Sequence, residues 1–140
     1  MSLTLAIIKP DAVEARNVGH ILAILERENF RIRAARFLQL DPIQAGEFYA
    51  VHRERPFYEA LKAFMTSGPV LTLALEREDA VGHLRKVIGS TDPAEAEPGT
   101  VRALYAENKE RNAIHASDSD ENASKELSFF FSTRELIGSR

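Results

Sequence analysis

Leu3-Thr4-Leu5-Ala6-Ile7-Ile8 is a short apolar run rich in β-formers, closed by Lys9-Pro10-Asp11. It reads as a buried strand stopped by a proline. Downstream, residues 12–29 carry Val18, Ile21, Leu22 and Leu25 on one face at helical spacing, with Asn17 as the expected cap. From Ile32 to Leu40, apolar residues mix with arginines as in a half-solvated strand. Asp41-Pro42 then starts a helix: the carboxylate accepts free amide hydrogen bonds and proline suits the first turn. That helix is expected to reach about His52, and Arg55-Pro56 separates it from another over Phe57–Met65.

Ser67-Gly68-Pro69 turns the chain into a second buried strand, Val70–Leu75, and Asp79 is the expected cap of a helix reaching about Val87. Residues 89–99, rich in glycine and proline, read as a loop, followed by a helical turn near Val101–Tyr105. A short strand is expected at Ala113-Ile114, then a last helix with Asp118 and Glu121 at capping-box spacing. Ala123, Leu127 and Phe130 form that helix's inward face. The order of elements predicts an α+β fold of the ferredoxin-like β-α-β-β-α-β type. Its four-stranded sheet is mostly antiparallel, with helices expected on one face.

The chain's 140 residues fit a single domain, 1–140. The apolar fraction of 44% and charged fraction of 28% are those of an ordinary globular protein. No cysteine is present, which excludes disulfides, iron–sulfur clusters and thiolate zinc sites. The start reads as a strand rather than a signal peptide, and no apolar run approaches the roughly 20 residues of a membrane helix. A cytoplasmic protein without membrane contact is therefore expected. A formal charge of −3 argues against nucleic acid as the main partner, but arginines converging on one pocket still suit a small anion.

Asn112-Ala113-Ile114-His115-Ala116-Ser117-Asp118 sets a histidine at a strand end just before a helix. Neutral imidazole is a competent nucleophile near neutral pH, and Glu126, two to three turns into that helix, is placed to orient it. The plainer alternative is a polar strand-end histidine beside an ordinary Ser-Asp cap. Arg85, Thr91 and Arg102 bracket the glycine-proline loop and suit a polyphosphate, since guanidinium forks match phosphate oxygens. As single residues, the two arginines equally suit solvated helix faces. Lys9 suits either a cleft or a stem reaching to solvent. Tyr49 and His52 share one side of a helix, where partial burial explains them, and Phe57, just after a proline, equally suits the core. There is no Walker-type glycine loop and no tight metal-ligand spacing.

In combination, seven segments resemble the nucleoside diphosphate kinase family, in its order and over residues 3 to about 136. They are Ile8-Lys9-Pro10-Asp11-Ala12-Val13, Phe48-Tyr49-Ala50, Glu54-Arg55-Pro56-Phe57-Tyr58, Met65-Thr66-Ser67-Gly68-Pro69-Val70, Gly89-Ser90-Thr91-Asp92-Pro93, Pro98-Gly99-Thr100-Val101-Arg102 and Asn112 to Asp118. The resemblance implies a ping-pong enzyme. In it, His115 takes the γ-phosphoryl of a nucleoside triphosphate, chiefly ATP, and gives it to a nucleoside diphosphate. It implies that Glu126 orients His115 with help from Ser117, and that Tyr49 lies beside the imidazole. Arg85, Thr91 and Arg102 would bind phosphates, Lys9 and Asn112 sugar and phosphate, and Phe57 would stack on the base. Magnesium bridging phosphate oxygens is the implied cofactor, and a homo-oligomer, tetramer or hexamer, the implied assembly. The short tail after Glu135 leaves little chain to wrap a neighbour.

Three places depart from the family pattern. Ala116 stands where glycine is usual, so a positive φ there would strain the turn. Ala103-Leu104 replaces an expected Gly-Asp, and Lys109-Glu110 replaces an apolar residue and a glycine near the base. The alternative reading is a non-catalytic nucleotide-binding regulatory module that keeps the pocket but forms no phosphoenzyme.

Overall fold

The computed structural model describes residues 1–137. Its strands are β1 (Ser2–Ile8), β2 (Arg31–Leu38), β3 (Val70–Arg77) and β4 (Ile114–Ala116). They form one sheet in the order β2-β3-β1-β4, with every neighbouring pair antiparallel. This is the ferredoxin-like arrangement that the order of elements predicts. The end of the C-terminal tail, residues 138–140, lies outside the described residues.

The helices depart from expectation in their segmentation. Pro10 opens α1 (Pro10–Glu14), and the chain breaks at Arg16, with φ 63°, before α2 (Val18–Arg27). Residues 12–29 are thus two helices, and the Asn17 side chain makes no capping bond. Asp41 does cap α3 (Pro42–Phe48): its carboxylate accepts from Gln44 N at 2.8 Å, and the Gln44 side chain accepts from Asp41 N at 3.1 Å. A 3-10 turn at Ala50–His52 continues it, and α4 (Tyr58–Met65) follows Pro56. Tyr58 ties the two helices by donating to Gly46 O at 3.0 Å.

Next come α5 (Ala80–Ile88), α6 (Val101–Tyr105), α7 (Asp120–Phe130) and α8 (Thr133–Ile137). Asp79 precedes α5 in the left-handed region, φ 49°, and its side chain makes no capping bond, contrary to the expected cap. For α7 the cap is Ser119, which accepts from Asn122 N at 3.0 Å; Asp118 instead accepts from the Asn122 side chain.

Helices cover both faces of the sheet, which corrects the expectation of one. Ala6, Ile8, Leu71, Leu73 and Leu75 join residues of α1, α2, α5 and α6 in one core. Leu5, Ile7, Val70 and Ala74 join α3, α4 and α7 in the other. Side chains alternate across a strand, so β1 feeds both cores and its apolar run has no solvent face.

Candidate active site

His115 sits mid-strand in β4, paired with Ile7 of β1, so it points to the α3–α7 face while Ile114 and Ala116 enter the opposite core. Its Nε2 lies 2.8 Å from Glu126 Oε1, and Ser117 Oγ donates to the same oxygen at 2.7 Å. The imidazole is neither sealed nor free, with 19% of its side chain exposed. Phe48 and Tyr49 stand edge-on to it, with ring centroids 5.5 and 6.2 Å away. A carboxylate acceptor at Nε2 fixes the tautomer with the proton on that nitrogen, which leaves the Nδ1 lone pair as the nucleophilic one. The Tyr49 hydroxyl is buried without a partner, and burial, then the charge of Glu126, push its pKa well above the ordinary phenol.

This ring lines a cavity of about 490 Å³ shared with Lys9, Tyr49, Phe57, Thr91 and Asn112. Lys9 is buried at the end of β1 and donates to Asn112 Oδ1 at 2.8 Å. Burial, followed by repulsion from Arg102, lowers its pKa to about 8, against a smaller opposing pull from Asp11. Thr91 also borders a second cavity of about 690 Å³, lined by Arg85, Gly89 and Arg102. Arg102, on α6, donates to Gly89 O at 3.0 Å and to Ile114 O at 2.7 Å, one residue from the imidazole. Its Nε is buried and unpartnered. Burial and the neighbouring Arg85 lower its pKa to about 10. Two cations held together with an unsatisfied donor make a ready seat for a polyanion.

The family profile described as nucleoside diphosphate kinase matches residues 2–136. The chain belongs to that family. A nucleoside diphosphate kinase of Chlorobium chlorochromatii is 53% identical over 139 residues, spanning 99% of each chain. A crystal structure of the Aquifex aeolicus nucleoside diphosphate kinase superposes with a TM-score of 0.93 at 48% identity, covering 94% of this chain and 96% of that one. The halophilic nucleoside diphosphate kinase of Halobacterium salinarum in complex with CDP gives 0.94 at 34% identity, covering 99% and 93%. Like the family, the chain is a phosphotransferase acting between nucleotides.

The expected site residues of a nucleoside diphosphate kinase fall around two adjoining cavities rather than one. His115, Tyr49, Lys9, Asn112 and Phe57 border the first, Arg85 and Arg102 the second, and Thr91 both. Glu126 meets the imidazole, and Ser117 meets Glu126. The departures resolve differently from expectation. Ala116 is paired with Ala6 and has no positive φ; the left-handed residue is Ala113, with φ 76°. Ala103 and Leu104 lie in a helix capped by Thr100, a conformation their high helix propensity suits.

Sequence reasoning missed Asp11. This buried carboxylate accepts from Ala113 N at 3.0 Å, while Lys9 N donates to Ala113 O at 2.9 Å. The two bonds clamp the left-handed Ala113 two residues before the histidine. The available signal was an acidic residue placed directly after a buried strand and Pro10. His52, also in the cavity lining and 5.3 Å ring to ring from Phe57, was read as mere partial burial.

Proposed function

We propose that the chain moves the γ-phosphoryl of a nucleoside triphosphate, chiefly ATP, to a nucleoside diphosphate through a phosphohistidine on His115. The observation that supports this is the Glu126–His115 contact, which engages Nε2 and leaves Nδ1 free on a ring that lines the cavity. In the first half-reaction Nδ1 attacks the γ-phosphorus, the bond from that phosphorus to the β,γ-bridging oxygen breaks, and the diphosphate leaves with the bond electrons. The proton stays on Nε2, held by Glu126, with Ser117 fixing the carboxylate. In the second half-reaction a terminal oxygen of a different diphosphate attacks the same phosphorus and Nδ1 departs. Phosphoryl transfer rests on alignment and on neutralising charge spread over the oxygens. Arg85, Arg102 and Thr91 supply that for the phosphates, and Lys9 and Asn112 for sugar and phosphate. Phe57 offers an exposed ring for stacking, which favours every base because all have a π-face.

Magnesium suits this site as a companion of the nucleotide, since among the described residues no three His, Asp or Glu side chains converge to hold an ion. Bound together with the nucleotide, it would neutralise charge on the transferred group. The reading further includes a single domain over residues 1–140, a cytoplasmic location and a homo-oligomer, tetramer or hexamer. Two cores built on one sheet support the single domain. No described helix is long and apolar enough to cross a membrane. Exposed Phe37 on the edge strand β2, with Ile43 nearby in sequence, supports self-association, which sedimentation would test against a monomer.

Initial rates test the mechanism. With donor and acceptor varied together, double-reciprocal plots are expected to be parallel, and intersecting lines would show that both nucleotides must bind before transfer.

A further inference from the structure

The cavity that holds His115 at its inner end opens past Phe57, Lys109 and Glu110, all exposed. If the phosphates lie at the imidazole, as the proposed function requires, the base occupies this open end. Lys109 and Glu110 project from a tied turn rather than a loose loop. Asn108 Oδ1 accepts from the backbone N of Glu110 at 3.0 Å and of Arg111 at 2.8 Å, and Glu107 N donates to Arg111 O at 2.9 Å. The Arg111 guanidinium bonds Glu107 and lies 5.5 Å over the Phe64 ring, pinning the turn to α4. Among the described residues neither Lys109 nor Glu110 forms a salt bridge, although opposite charges stand side by side.

We infer that Lys109 and Glu110 form a base-reading pair that favours guanine over the other bases. The inference rests on the phosphotransferase reading above and adds to it a substrate preference. The Watson–Crick edge of guanine presents two adjacent donors, N1–H and the 2-amino group, beside one acceptor, O6. A carboxylate accepts two parallel hydrogen bonds and an ammonium donates, so Glu110 and Lys109 together complement that order. Adenine offers one donor beside a bare acceptor nitrogen, and would set that acceptor against the carboxylate. Uracil and cytosine lack the adjacent donor pair. Stacking on Phe57 is common to all bases, so the preference comes from the edge alone.

The test compares GDP with IDP, which lacks only the 2-amino group, as acceptors from ATP in the full-length chain. Turnover of UDP is measured alongside. The ratio of kcat/KM for GDP over IDP is expected to be about five- to tenfold, the lower part of the range for a bidentate contact at an exposed edge. In Glu110→Gln, whose backbone bonds in the turn are retained, the ratio is expected to fall toward one. Lys109→Met is expected to narrow the preference for GDP over CDP, whose edge sets an amino group against the ammonium. A wild-type ratio near one, or a ratio unchanged by Glu110→Gln while UDP is turned over, overturns the base-reading pair and leaves the kinase reading standing. Failure of the wild type to phosphorylate UDP, GDP and IDP alike overturns both.

Discussion

At the scale of single residues, the chemistry depends on which imidazole nitrogen is left free. In the proposed mechanism Glu126 decides it, because its oxygen meets both His115 Nε2 and Ser117 Oγ. Glu126→Gln keeps the volume but lets the amide present either a donor or an acceptor, so the wrong tautomer becomes accessible. We expect kcat to fall by on the order of a hundredfold, with KM little changed; a kcat within twofold or so of wild type would remove Glu126 from the mechanism. Lys9 supplies a pH dependence. Its pKa is lowered to about 8, so in the free protein the cation is present below that pH and lost above it. Because kcat/KM reports groups of the free enzyme, it should decline as pH rises through about 8, and Lys9→Met should lack that limb. A limb that survives the substitution would belong to another group.

At the scale of elements, the sequence was most informative where propensity and pattern agreed. Asp41-Pro42 named its own helix start, and the structure adds a capping box there through Gln44. Caps that depended on position alone were misassigned. Asp79 adopts a left-handed backbone and its carboxylate, although it lies against Gly82 in the first turn, makes no capping bond, and at α7 the role falls one residue on, at Ser119. The backbone ahead of the histidine was not legible at all. The alanine-for-glycine departure points to Ala116, whereas the left-handed residue is Ala113, held there by long-range bonds to Asp11 and Lys9. No local pattern reports bonds that span a hundred residues. A β-branched side chain is poorly tolerated in that conformation, and the site is fully buried. Ala113→Val is therefore expected to cost about 2 kcal/mol or more in a denaturant titration, with activity lost alongside. Unchanged stability would mean that the segment relaxes without strain.

At the scale of the whole molecule, the order of elements implied the sheet, but not its covering. Leu3–Ile8 read as buried, and an unbroken apolar strand is the signature of a sheet packed on both faces rather than one. Motif order likewise gave the candidate site residues, while their distribution over two cavities joined at Thr91 depends on where α5, α6 and β4 meet in space. That junction brings the guanidinium of Arg102 to the carbonyl next to His115, the imidazole that the proposed mechanism has carry the phosphoryl group. The most direct measurement incubates the chain with γ-labelled ATP and magnesium, without an acceptor. An acid-labile, base-stable label on His115 is expected, which disappears in His115→Ala and moves to a diphosphate added afterwards. A folded chain that takes up no label, or one that keeps its label in His115→Ala, would contradict the proposed mechanism.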